Sequence, residues 1–218
     1  MRHQLAIIVA LSAGHVAFAQ QFVQQTSTRF PTQAEYTNQL SFCDVDRDGD
    51  LDIAWANGQG YSSLGALLKP RLFLNDGSGR FSDVTDTRVA GITGCFRGVE
   101  FGDVDRDGDW DMLLAQDYAR PALLLLNNGD GFFTAAPAGQ MPAINLGSSR
   151  GQFGDIDNDG DLDIALCNSG TNRFGTTGKP KIYVNDGTGK FTDNTALTPA
   201  GNVSEQMDIL FLDVDNDL

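Results

Sequence analysis

The chain has 218 residues, 41% of them hydrophobic, a formal net charge of −14 and only two histidines, His3 and His15. Both histidines fall within the first 19 residues, so serine-histidine or cysteine-histidine catalysis and histidine-ligated zinc are excluded from the rest of the chain. Eighteen of the 29 acids lie in four short clusters, and the chain outside them carries about +2; acidity this local points to bound cations and speaks against nucleic acid.

In chain order, Arg2 and His3 precede an apolar run from Leu5 to Ala19 that closes on Ala17-Phe18-Ala19. The pattern predicts a signal peptide over residues 1–19, cleaved before Gln20, and with it a secreted, periplasmic or cell-surface protein. Gly14 and His15 interrupt the run, it is short for a membrane span, and nothing comparable follows. Three cysteines, Cys43, Cys95 and Cys167, suit an oxidising compartment with at most one disulfide. Each sits in or beside an apolar segment, where free cysteine behaves as a small buried hydrophobe.

Residues 20–218 form one repeating unit after another. The clusters begin at Asp44, Asp103, Asp155 and Asp213, separated by 59, 52 and 58 residues. The first unit runs "LSFCDVDRDGDLDIAWAN" then "RLFLNDGSGRFSDVT", and the second "VEFGDVDRDGDWDMLLAQ" then "ALLLLNNGDGFFTAAP". The third runs "GQFGDIDNDGDLDIALCN" then "KIYVNDGTGKFTDNT". Their apolar segments are short, rich in Phe, Ile, Leu and Val, and bounded by Gly, Asn and Asp, which predicts strands. The "NDGSG", "NNGDG" and "NDGTG" turns supply residues that tolerate positive φ and predict a hairpin between third and fourth strands. Four short strands per unit predict an all-β propeller, with three four-stranded blades and the start of a fourth.

Phe81 to Asp103, Phe133 to Asp155 and Phe191 to Asp213 are each 22 residues apart, so length variation falls between second and third strands. Phe22 to Asp44 is also 22, and "FVQQTSTRF" at 22–30 parallels "FSDVTDTRV" at 81–89. This predicts that the chain after residue 19 begins with an orphan fourth strand, able to complete the last blade of a closed ring. The sequence stops at Leu218 inside the fourth cluster, and propellers use about four to eight blades, so a fragment of a longer ring is expected.

In "DVDRDGDLD", acids at positions 1, 3, 5 and 9 can converge on one hard cation, with the position 7 carbonyl as a further oxygen. Calcium accepts such a mixture, taking about six to eight oxygens in flexible geometry. The candidate ligands are Asp44, Asp46, Asp48 and Asp52; Asp103, Asp105, Asp107 and Asp111; and Asp155, Asp157, Asp159 and Asp163. Asp50, Asp109 and Asp161 are expected to contribute carbonyls, and Gly49, Gly108 and Gly160 to permit the turn. An EF-hand needs a bidentate Glu at position 12 on a helix; here that position holds Trp55, Leu114 and Leu166 in strand-like segments. An ion-free turn would hold five carboxylates in nine residues against their repulsion. The cation is expected to be structural, clamping first strand to second.

Arg97 and Arg150 precede innermost strands and are expected to pair with the aspartate loops rather than face a channel. Trp55 and Trp110 are expected to pack in the core rather than form a sugar platform. Tyr61 lies in "NGQGYSSLG", a variable loop of the kind where function concentrates.

These motifs resemble the FG-GAP or VCBS repeat family, calcium-loop propeller repeats also found in integrin alpha subunits. The resemblance is carried by "EFGD" at 100–103, "QFGD" at 152–155, the aspartate loops and the "LFLNDGSGRF" type of hairpin. It covers nearly the whole chain after residue 20. It implies a propeller, commonly seven-bladed, with Ca2+ between the first and second strands of its blades. Cys43 and Leu212 stand in place of the family's glycine, and Leu218 in place of a loop glycine. The implied function is a non-catalytic binding or adhesion module for glycans or proteins. Some relatives look like polysaccharide lyases, so a lyase-like enzyme is the alternative, and a structural domain of a larger surface protein is a third.

Overall fold

A computed structural model describes residues 24–31, 34–60, 63–168, 178–198 and 206–211. The expected signal peptide, Phe22, Tyr61, Leu212 and the fourth aspartate cluster lie outside the described residues. Among the described residues, three four-stranded antiparallel sheets account for all named strands, as the repeat predicts. The first holds β1 Thr37–Cys43, β2 Asp52–Asn57, β3 Arg71–Asn75 and β4 Phe81–Asp83, side by side in chain order. The second holds β5 Phe96–Gly102, β6 Asp111–Gln116, β7 Leu123–Leu126 and β8 Thr134–Ala135. The third holds β9 Gly151–Gly154, β10 Asp163–Leu166, β11 Lys181–Asn185 and β12 Phe191–Asp193. Cys43 faces Asp52, Gly102 faces Asp111 and Gly154 faces Asp163, so each aspartate loop closes one pair of facing strand ends.

The apolar runs are continuous rather than alternating because the sheets stack face to face and their central strands are covered on both sides. β6 is buried along its whole length. Its Met112 and Leu114 join Val45, Ala54, Leu72 and Val99 in a core between the first and second sheets. Leu113 turns the other way, into a core with Ile164, Leu166 and Tyr183 of the third sheet. Each such side chain contributes about 1.5–3 kcal/mol when buried, so no sheet is complete without its neighbour. Among the described residues no helix is long and apolar enough to cross a membrane.

Glycine at the end of β5 and β9 lets the next blade come close. A Cβ on Gly102 would lie 2.7 Å from the Phe153 ring, and one on Gly154 2.7 Å from Phe211. Gly102→Ala is therefore expected to lower stability by about 1–3 kcal/mol through overpacking, read as a lower denaturant midpoint; an unchanged midpoint would show that Phe153 moves aside freely. At the equivalent place the first sheet has Cys43, and a groove opens there between Phe42, Phe101 and Trp110.

The start of the expected orphan strand at Phe22 lies outside the described residues, which begin at residue 24. Thr26–Arg29 forms one helical turn, α1, closed by Phe30 N–H donating to the Thr26 carbonyl at 2.9 Å. Its counterpart Thr85–Arg88, α2, does the same after β4, so the sequence parallel with 81–89 holds. The turn swings Phe30 onto the first sheet, 4.3 Å from the Phe81 ring and 6.1 Å from Trp55. Trp55 packs 4.5 Å from Phe73, as a core residue should. Trp110 does not: it is 45% exposed, because it sits at the outer edge of its loop, as does Leu51 in the first blade. All three cysteines are free and buried, and burial pushes the Cys43 and Cys167 thiols up to about 12.

Candidate metal centres

Each aspartate loop winds inward because its backbone alternates handedness. Position 4 is left-handed at Arg47 (φ 60°), Arg106 (φ 61°) and Asn158 (φ 61°), and position 6 at Gly49 (φ 93°), Gly108 (φ 87°) and Gly160 (φ 90°). Glycine and asparagine enter that region readily, whereas arginine does so only when the surroundings impose it. The carboxylates then cap the loop's own N–H groups. Asp44 accepts from Asp48 N–H at 3.1 Å and Gly49 N–H at 3.0 Å, and Asp155 from Asp159 N–H at 3.1 Å and Gly160 N–H at 2.8 Å. Asp103 accepts from Gly108 N–H at 3.0 Å.

The position 9 aspartates tie each loop to the third strand. Asp52 accepts from Val45 N–H at 3.1 Å through one oxygen and from Asn75 N–H at 2.8 Å through the other. Asp111 does so with Val104 (3.2 Å) and Asn127 (2.9 Å), and Asp163 with Ile156 (2.9 Å) and Asn185 (2.8 Å). All three are almost wholly buried.

The structure gathers Asp44, Asp46 and Asp48 in the first loop so that one oxygen from each lies within 4.8 Å of the others. Asp103, Asp105 and Asp111 do the same in the second, and Asp155, Asp157 and Asp163 in the third. Asp52, Asp107 and Asp159 stand outside these groups. The side chains of Asp109 and Asp161, for which only carbonyl roles are expected, turn instead to Arg47 and Arg106 of the preceding loop.

The clusters have the chemistry of a cation site. Asp46 Oδ1, Asp103 Oδ1 and Asp105 Oδ1 are buried and accept no hydrogen bond within the protein. Burial, and then the neighbouring Asp48, holds the Asp46 carboxyl above its ordinary range, and burial with Asp107 does so for Asp105. Burial raises Asp52 to about 6 and Asp111 to about 7, against the lowering effect of their backbone hydrogen bonds. Buried carboxylates are stable only when paired or when they coordinate a metal. The donors are all oxygen, which selects hard cations such as Ca2+, Mg2+ or Mn2+ over softer metals. The residues present therefore fit a hard divalent cation.

Two expectations are corrected. Arg97 pairs with Asp117 at 3.3 Å and Arg150 with Asp208 at 3.2 Å, not with the loops. The reason is polarity of the strand: Arg97 opens β5 while the loop follows Gly102 at its other end, about 3.3 Å per residue away. Among the described residues, Arg47 and Arg106 pair with the loops, and the charge of Arg88 acts on Asp46. The asparagines at or just after the end of each third strand, Asn75, Asn127 and Asn185, were legible only as turn formers; their recurrence at the head of every glycine turn was the available signal.

Antiparallel four-stranded sheets repeated in sequence, each carrying a carboxylate loop between its first two strands, define a propeller-type repeat protein with candidate cation centres. The FG-GAP-like repeat model matches residues 44–114 and again 103–166, and the chain belongs to that family. No curated relative matches the chain.

Proposed function

We propose that this chain is an exported, calcium-stabilised binding module. The observation that carries the reading is one oxygen-only carboxylate cluster built three times at equivalent places, with buried oxygens in the first two that no protein donor satisfies. Calcium at these loops clamps β1 to β2, β5 to β6 and β9 to β10. Of the hard cations, it is the one whose flexible coordination suits a shallow loop mixing carboxylates, a carbonyl and water. Export by the segment 1–19 supports this choice, since weak oxygen sites fill at extracellular calcium levels of about 10⁻⁴–10⁻³ M.

Ligand recognition belongs to the opposite end of the sheets, where the variable loops join second to third strands. There Tyr118 and Ala119 hold left-handed backbones (φ 58° and 55°). Tyr118 also donates its hydroxyl proton to the Gly60 carbonyl at 2.9 Å. Strained non-glycine residues of this kind gather at binding sites. The ligand is an extracellular glycan or protein. Binding to immobilised glycans and surface proteins, with calcium and after chelation, tests the reading. Chelator-sensitive binding weakened by Tyr118→Ala is expected. Release of unsaturated sugar products would instead favour the lyase-like alternative, and binding indifferent to calcium would contradict the proposal.

A further inference from the structure

The loops are joined to one another by a buried hydrogen-bond relay. Val45 donates its N–H to Asp52 at 3.1 Å in the first loop, and its carbonyl accepts from Asn127 Nδ2 of the second blade at 2.9 Å. Asn127 N–H in turn holds Asp111 at 2.9 Å, and Asp111 accepts from Val104 N–H at 3.2 Å. The pattern then repeats: the Val104 carbonyl accepts from Asn185 Nδ2 at 2.7 Å, and Asn185 N–H holds Asp163 at 2.8 Å. Every side chain in the relay is at least nine-tenths buried. The other amide hydrogen of each asparagine is used within its own loop, Asn127 on the Trp110 carbonyl at 3.2 Å and Asn185 on the Leu162 carbonyl at 3.1 Å. A second link runs in parallel, Arg47 to Asp109 and Arg106 to Asp161, from left-handed position 4 of one loop to position 7 of the next.

We infer that Asn127 and Asn185 are positioning residues that couple neighbouring cation loops, so that filling one loop raises the affinity of the loop in the next blade. The inference rests on the reading of these loops as cation sites. An ion in the first loop fixes the backbone around Val45, which aims the carbonyl that Asn127 reads. Asn127 so ordered holds Asp111, a candidate ligand of the second loop, in place. It also fixes the left-handed turn that presents Arg47 to Asp109. The ordering cost at the junction is then met before the second ion arrives, which is positive coupling without any large movement. Repulsion between the two ions opposes this, and salt screens it beyond about 8 Å under physiological conditions.

The full chain, stripped of metal, carries its own reporter: Trp110 occupies position 8 of the second loop and can sensitise luminescence of Tb3+, an oxygen-seeking stand-in for Ca2+. A Trp110→Phe control assigns that signal. Asp46→Asn, which preserves shape in the first loop, is expected to weaken terbium binding at the second loop by roughly fivefold or more, the range of ordinary allosteric coupling. In an Asn127→Ala background, or in Arg47→Gln if that variant does not fold, Asp46→Asn is expected to change second-loop affinity far less. Equal second-loop affinity with and without Asp46→Asn, in a chain that binds ions, would overturn the coupling alone. No terbium or calcium binding by the unmodified chain would overturn the cation reading and the coupling together.

Discussion

Asp111→Ala is expected to lower stability by about 2–6 kcal/mol, since two buried backbone N–H groups lose their acceptor at about 1–3 kcal/mol each. Asp111 accepts from Val104 and Asn127 through different oxygens and is 1% exposed, so water cannot replace it without opening the core. Part of the loss is offset in metal-free protein, because the mutation also removes a carboxylate that burial disfavours. With calcium present the offset disappears and the loss is larger. Asp111→Asn keeps one acceptor and turns an N–H toward the other donor, so its cost falls between wild type and alanine. Denaturant unfolding with and without chelator reads both effects. Equal stability of Asp111→Ala and wild type would show that the loop is not tied to the third strand as described.

Calcium is expected to raise the melting temperature of chelated protein strongly at pH 7.5 and weakly near pH 5. One site at a hundredfold excess over its Kd adds about 2.7 kcal/mol, and three sites add correspondingly more. The pH dependence follows from Asp52 and Asp111, raised to about 6 and 7 from an ordinary 3.8. Between about pH 4 and 7 the metal-free folded state holds protons that the unfolded chain has released. Stability of the metal-free protein therefore falls as pH rises through that window and levels off above it. Calcium in the second loop requires Asp111 ionised, so its stabilising effect there grows over the same interval. A calcium-dependent shift that is constant from pH 5 to 7.5 would contradict the assignment of Asp111 to the second site.

Much of the fold was legible because each instruction is written three times. Apolar runs such as "DMLLAQ" lack alternation since β6 is covered on both faces, and the constant Phe-to-Asp spacing located the variable loops correctly. What stayed hidden depends on the neighbouring blade. Asn127 has one role within its own turn and another on the Val45 carbonyl, 82 residues away in sequence. Arg47 and Arg97 are both basic residues near a first strand, and only the direction of the chain decides which meets an aspartate loop. The segment at 24–30 follows its parallel at 81–89, with a helical turn at the same place in both.

Calorimetric titration of Ca2+ into the metal-stripped full chain tests calcium binding by the aspartate loops most directly. At least three binding events are expected, one for each of the clusters at Asp44, Asp103 and Asp155, each weakened when the position 3 aspartate of its loop is changed to asparagine. A titration with no binding heat and no change in melting temperature would contradict the account.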